Sequence, residues 1–248
     1  MRRPFALLAL AAFACASQPG APVVTETSPH IAAAVASTKR PAEDRARDAD
    51  RKPAEMLAFA GIAPGQRVAD FIPGGGYFTR MLSEAVGAEG KVYALIPPPG
   101  AQRTDPPIKA VAAQYPNVEV VQQSFTELSV PEPCDVIFTA QNYHDLHLPR
   151  FNLDVARVNA QIFNALKPGG AYVVVDHSAR AGAEIGVADT LHRIDPAIVR
   201  RELEAAGFVY DGSLDVLRNP ADTLELNVFD EKIRGKTDQF VMRFRRPS

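Results

Sequence analysis

Val68-Ala69-Asp70-Phe71-Ile72-Pro73-Gly74-Gly75-Gly76-Tyr77-Phe78-Thr79 carries an apolar strand into a glycine turn and on into a helix predicted over Tyr77 to Val86. Three successive residues without a Cβ let the backbone turn sharply and approach a ligand closely, while the helix start offers N–H groups without intrahelical partners to an anionic end. Asp70 closes the strand just before the turn. By themselves the glycines fit equally a tight strand-to-helix connection that holds no ligand.

Working outward, strands and helices alternate. Arg40 to Ala60 is charged and then apolar and predicts a helix, and Pro64-Gly65 turns it into a first strand at Arg67 to Phe71. Lys91 to Ile96, ended by Pro97-Pro98-Pro99, gives a second strand, Val118 to Gln122 a third and Cys134 to Thr139 a fourth, with a helix from Asp105-Pro106 to Ala113 before the third. A helix over Phe151 to Leu166 puts Val155, Val158, Ile162 and Leu166 on one face, and Lys167-Pro168-Gly169-Gly170 stops it before a buried fifth strand at Ala171 to Asp176. Asp195 and Pro196 open a further helix, with strands following at Val209 to Leu217 and Phe240 to Phe244. This order predicts a twisted, mostly parallel sheet covered by helices on both faces, with ligands in the crevice beyond the carboxyl ends of the strands.

The 248 residues, 46% hydrophobic and 23% charged, suit one sizeable α/β domain, placed at residues 41–248. Arg2 and Arg3 precede an apolar run from Phe5 to Ala14, and Ala14-Cys15-Ala16 fits a small-residue cleavage site, so residues 1–16 read as an export signal and the bacterial periplasm as the destination. Arg2-Arg3 partly matches a twin-arginine signal, and Cys15 could instead carry a lipid anchor. The run falls short of the about 20 apolar residues that span a bilayer. Residues 17–40, rich in Ala, Pro, Ser and Thr, read as a flexible linker. Losing Arg2 and Arg3 takes the formal charge from −2 to −4, and no basic stripe remains to neutralise phosphates, which argues against nucleic acid as a partner. Cys134 would be the one thiol left, so the domain has no internal disulfide, and the oligomeric state is not fixed by the sequence.

Four features in order over roughly residues 55 to 245 carry a resemblance: the Asp70 to Gly76 loop, Lys91-Val92-Tyr93-Ala94, the Leu166-Lys167-Pro168-Gly169-Gly170 turn, and Ala206-Gly207-Phe208. Through them the chain resembles the class I S-adenosylmethionine-dependent methyltransferases. More narrowly it is similar to bacterial exported proteins described as predicted methyltransferases, which share the Pro73-Gly74-Gly75-Gly76-Tyr77 loop and Asn142-Tyr143-His144-Asp145-Leu146-His147. The resemblance implies a Rossmann-like seven-stranded fold and S-adenosylmethionine as cofactor. It places Asp70, Gly74, Gly75, Gly76 and Tyr77 around the methionine portion, with Ser124, Phe125 and Asn142 also at the cofactor. The chain departs from the family where Ile96 stands at the usual acidic ribose position, where Ser124-Phe125 replace a carboxylate near adenine, and where Ile72 replaces the first glycine. A lost ribose carboxylate removes charge-assisted hydrogen bonds of about 1.5–3 kcal/mol unless another group compensates.

His144, His147, His177 and His192 fall near the predicted carboxyl ends of strands and are expected to converge on one crevice. His144 or His177 could act as a general base toward a small-molecule acceptor, oriented by Asp145 or Asp176. The same side chains could bind a metal through His144, His147 and His177 or Asp176, but a His-x-x-His pair in a loop fixes no geometry, so no metal ligand is assigned. A binding protein or metal-dependent enzyme built on this crevice is the competing reading. Arg218 to Asp238 forms a long connection whose Arg218, Arg234 and Lys236 could meet an anion or simply be solvated.

Overall fold

The computed structural model describes residues 27–100 and 106–248. The expected export signal at 1–16 lies outside the described residues, as does Asp105, the expected start of the helix before the third strand. Among the described residues no helix is long and apolar enough to cross a membrane.

In chain order the helices are α1 (Pro29–Ala36), α2 (Ala42–Arg45), α3 (Asp48–Arg51), α4 (Pro53–Ala60), α5 (Tyr77–Val86), α6 (Ile108–Gln114), α7 (Val155–Ala165), α8 (Val187–Leu191) and α9 (Pro196–Ala205). The strands are β1 (Arg67–Phe71), β2 (Lys91–Ile96), β3 (Val118–Gln122), β4 (Cys134–Ala140), β5 (Leu166–His177), β6 (Val209–Leu214) and β7 (Gln239–Arg245). They form one sheet in the order β3-β2-β1-β4-β5-β7-β6, and β7 runs antiparallel to both neighbours while β1 to β5 are parallel. The mostly parallel, Rossmann-like sheet is as expected. Its strand order reverses between β1 and β4, which opens a crevice there at the carboxyl ends.

Alternation along each strand feeds two cores. Val173 and Val175 join Val68, Phe138, Met56, Leu57, Met81 and Leu82 on the face covered by α1, α4, α5 and α6. Tyr172 and Val174 join Ala69, Phe71, Ile137, Ile162, Val199 and Leu203 on the face covered by α7 and α9. Gly76, with φ +81, lies so close to α6 that a Cβ there would meet Val111 Cγ2 at 2.9 Å, so this glycine also serves helix packing.

Three expectations are corrected. The second half of the expected linker at residues 17–40 is not a linker: α1 inserts Ile31 and Ala34 into the core, and His30 Nε2 bonds the Ile62 carbonyl oxygen at 2.9 Å. The helix expected over Arg40 to Ala60 is three short helices, because Pro53 has no N–H to continue the ladder and Lys52 before it adopts φ +46. The helix expected from Phe151 starts at Val155, where the Asp154 side chain accepts from the Arg157 N–H.

Ile31→Ala is expected to cost about 2–5 kcal/mol in urea unfolding, the range for deleting a buried aliphatic side chain. A change below about 0.5 kcal/mol, the scatter of surface substitutions, would return α1 to the linker.

Candidate functional site

The glycine turn is built on a constraint that the sequence shows only as an oddity. Ile72, in the place of the first glycine, takes φ +62, a left-handed conformation that costs a β-branched residue on the order of 1–3 kcal/mol. It is held there from both sides: its N–H donates to the Leu95 carbonyl at 3.0 Å, and its carbonyl accepts from Asn142 Nδ2 at 3.0 Å. Asn142 Nδ2 also donates to the Ala140 carbonyl at 2.6 Å, so one amide ties the ends of β1 and β4 together. Ile72, Pro73, Gly74 and Asn142 form the ridge between two cavities, one of about 820 Å³ and one of about 250 Å³.

The smaller cavity is charged. Asp44, Arg47, Arg51, Asp70, Gly74, Gly75 and Tyr77 line it, and a Cβ on Gly74 or Gly75 would meet nothing within 4 Å. Asp70 accepts from Thr79 Oγ1 at 2.6 Å. Burial nonetheless raises its carboxyl to about 6, against the opposing pull of the Thr79 bonds and the Arg51 charge. Arg51 lies over the Tyr77 and Phe78 rings at 4.3 and 4.9 Å from their centroids, and burial together with Arg47 lowers its guanidinium to about 10. The Tyr77 hydroxyl donates to Asp48 Oδ1 at 2.6 Å, which anchors the ring beneath the arginines.

The larger cavity is mostly apolar. Ile72, Ile96, Pro97, Pro98, Pro99, Pro106, Pro107, Ile108, Phe125, Leu146, Phe151 and Leu153 make its walls, and Gln122, Ser124, Asn142, Asp145 and Arg150 supply polar atoms. Ile96 and Gln122 are partners in the β2–β3 register, so an amide sits beside the position where the family carries an acid. The Phe125 ring packs 4.6 Å from that of Phe71, which holds it at the wall.

Beyond the ends of β4 and β5, Asp176 bonds two of the four expected histidines. Fully buried, it accepts from the His144 N–H (2.7 Å), from His144 Nδ1 (2.8 Å) and from the His177 N–H (2.8 Å). Burial alone would raise its carboxyl, but the charge and hydrogen bonds of His144 hold it below the usual range. Burial disfavours the His144 imidazolium too, yet Asp176 and Asp145 outweigh this and raise it. A carboxylate only accepts, so His144 Nδ1 carries hydrogen and Nε2 faces outward, 3.3 Å from His192 Nδ1 and 3.5 Å from Asp145 Oδ1. His177 stands apart from this: it bonds Thr237 Oγ1 at 2.7 Å through Nδ1, and burial lowers its imidazole to about 4. His147 is not in the cluster at all, because Glu202 on α9 takes its Nε2 at 3.1 Å.

Arg47 and Arg51 were not singled out in the sequence, where Arg40 to Ala60 reads only as a charged and then apolar helix. His192 was foreseen at the crevice but not as the neighbour of His144. In the long connection before β7, Arg218 pairs with Asp238, while Asn227 and Val228 bond the α8 carbonyls and Phe229 packs its ring 4.9 Å from His192. That segment packs against His192 at the edge of the cluster.

No protein-family model and no curated protein matches this sequence. Solved structures do resemble the fold. A SAM-dependent methyltransferase from Aquifex aeolicus is 22% identical, with 81% of this chain and 92% of that one covered and a TM-score of 0.57. CrArsM, an arsenic(III) S-adenosylmethionine methyltransferase from Chlamydomonas reinhardtii, is 17% identical over 89% of this chain and 74% of that one, with a TM-score of 0.54. Aeropyrum pernix fibrillarin, in complex with natively bound S-adenosyl-L-methionine, is 13% identical over 80% and 76%, with a TM-score of 0.50. The chain therefore shares the Rossmann-like fold of the SAM-dependent methyltransferases.

Proposed function

We propose that this chain is an S-adenosylmethionine-dependent methyltransferase acting on a small-molecule acceptor. The observation that carries the reading is the pair of cavities meeting at Ile72, Pro73, Gly74 and Asn142, one apolar and one charged. A ligand with a flat aromatic end and a zwitterionic amino-acid end matches that division. When bound, S-adenosylmethionine supplies an electrophilic methyl group. Arg51 and Arg47 offer positive charge to a carboxylate, and the buried Asp70 offers negative charge to a cationic group. Ile96, Ile108 and Phe125 exclude water around an adenine ring, and Gln122 is the amide nearest the missing ribose acid. His144, oriented by Asp176, presents Nε2 to Asp145, which lines the large cavity, and a lone pair there can take up an acceptor's proton. Asp145 and His177 complete its surroundings. Export to the periplasm is part of the proposal, supported by Arg2-Arg3 and the apolar run after them, and a mature N-terminus at residue 17 would confirm it.

Calorimetric titration of residues 17–248 with S-adenosylmethionine and S-adenosylhomocysteine is expected to show micromolar binding. Absence of binding by a folded protein would remove the cofactor from the reading. Gly75 has open space at its Cβ, so Gly75→Leu should leave the thermal melt unchanged and abolish that binding. His144→Ala is expected to keep binding and lose turnover, and equal turnover in that variant would make His144 purely structural.

The shift at Asp70 gives a stability test with a definite sign. Its carboxyl titrates at about 6 when folded against a reference of 3.8, so the unfolded chain gives up the proton first and stability falls as pH rises from about 4 to 6. Asp70→Asn removes this term. The variant should be more stable than the wild type by about 1–3 kcal/mol above pH 6, with the advantage shrinking toward pH 4, and should bind the cofactor more weakly. A pH-independent difference in denaturant midpoints would refute this account of Asp70.

A further inference from the structure

We propose that His144, His192 and Asp145 form a binding site for a divalent first-row transition cation such as Zn²⁺ or Co²⁺. Three donor atoms, His144 Nε2, His192 Nδ1 and Asp145 Oδ1, lie 3.3, 3.5 and 3.9 Å from one another. They form the group of potential ligands among the described residues whose atoms all fall within 4.8 Å of one another. Given those three separations, a point about 2.1 Å from all three atoms already exists between them, matching the about 2.0–2.2 Å of nitrogen and carboxylate oxygen bonds to zinc.

Three further features distinguish this arrangement from a chance meeting of polar groups. His144 gives its Nδ1 hydrogen to a fully buried carboxylate, the carboxylate–histidine pairing that fixes the tautomer and aims Nε2 at a metal. The His144–His192 contact at 3.3 Å is long for a hydrogen bond, and neither nitrogen approaches Asp145 closely enough to be satisfied by it. Asp145 also lines the large cavity, so the three ligands stand at its edge. Two imidazoles and one carboxylate favour borderline cations over magnesium or calcium, which prefer all-oxygen shells.

The site rests on these side chains and their geometry, and an ion on His144 Nε2 takes the lone pair that would otherwise accept a proton, so with the ion bound His144 is a ligand and not a base. If the methyltransferase reading also holds, the acceptor is a molecule that can coordinate an ion through oxygen or sulfur.

The test uses the full chain, purified without an affinity tag and treated with a chelator. Zn²⁺ titration by calorimetry and Co²⁺ titration by visible absorbance should each show one equivalent bound, the latter with ligand-field bands. His192 adopts φ +54, a conformation asparagine tolerates well, so His192→Asn should keep the fold and weaken Zn²⁺ binding by more than roughly 100-fold. Should that variant fail to fold, Asp145→Asn on the cavity wall serves the same purpose. Asp176→Asn should weaken binding about 10–100-fold through the orientation of His144, whereas His147→Gln should leave it unchanged. Absence of the Co²⁺ bands in the wild type, or equal Zn²⁺ affinity in folded His192→Asn, would overturn the site. Neither titration involves S-adenosylmethionine, so a failure here leaves the cofactor reading to its own experiment.

Discussion

The histidine side of the crevice depends on Asp176. A carboxylate with no exposed surface is costly unless its lone pairs are used, and here three N–H groups use them: two from His144 and one from His177. The two bonds from His144 join the end of β5 to the 3-10 turn His144–His147 that follows β4, so they set both the position of that turn and the face that the imidazole presents. The pair's charge outweighs the burial that would otherwise neutralise both groups. The sign on stability differs for each partner. Asp176, held low, contributes above pH 3.8 and loses its contribution as pH falls further; His144, held high, contributes below 6.5 and loses it as pH rises through the folded value.

Asp70 is the opposite case on the same sheet. It ends β1 nearly as buried as Asp176 ends β5, but it has the Thr79 bonds and a more distant Arg51 in place of a contacting imidazole, and burial wins. Two carboxylates of one chemistry are thus driven apart by their partners. The one already compensated is structural and positions another residue, while the one left short of positive charge is pushed up by its burial. The local destabilisation this implies sits next to the strained Ile72, so both residues border the same cavity.

The strands, their order along the chain and the edge that carries the crevice were legible because they rest on local signals: short apolar runs, Pro-Gly breaks, and a glycine turn. The helix α1 was not, since its Ala-rich sequence has the composition of a linker and only burial against α5 and Ile62 reveals it. The histidines divide in the same way. Asp176-His177 and His144-Asp145 stand at strand ends and could be assigned to the crevice from sequence. Which histidine completes the cluster could not, because His147 is drawn off by Glu202 from α9, and His192 arrives from a segment 48 residues beyond His144. The His-x-x-His spacing pointed to the wrong partner because it is local and the competition is not.

The crevice then joins two halves with separate duties. Residues of the β1–β3 half, namely Ile72, Ile96, Gln122, Ser124 and Phe125, wall the large cavity, while the β4–β5 half brings His144, Asp145, Asp176 and His177. A fixed crevice between the two halves requires that they not slide. Beyond the β1–β4 ladder, two side chains resist sliding at this edge: Thr139 Oγ1 donates to the Phe71 carbonyl at 2.8 Å, and Asn142 Nδ2 donates to that of Ile72. The Ile72 carbonyl is available to Asn142 in the left-handed conformation that Ile72 adopts at the turn. The backbone cost at Ile72 is therefore coupled to the registration of the two halves, which gives the departure from glycine a physical role in place of a defect.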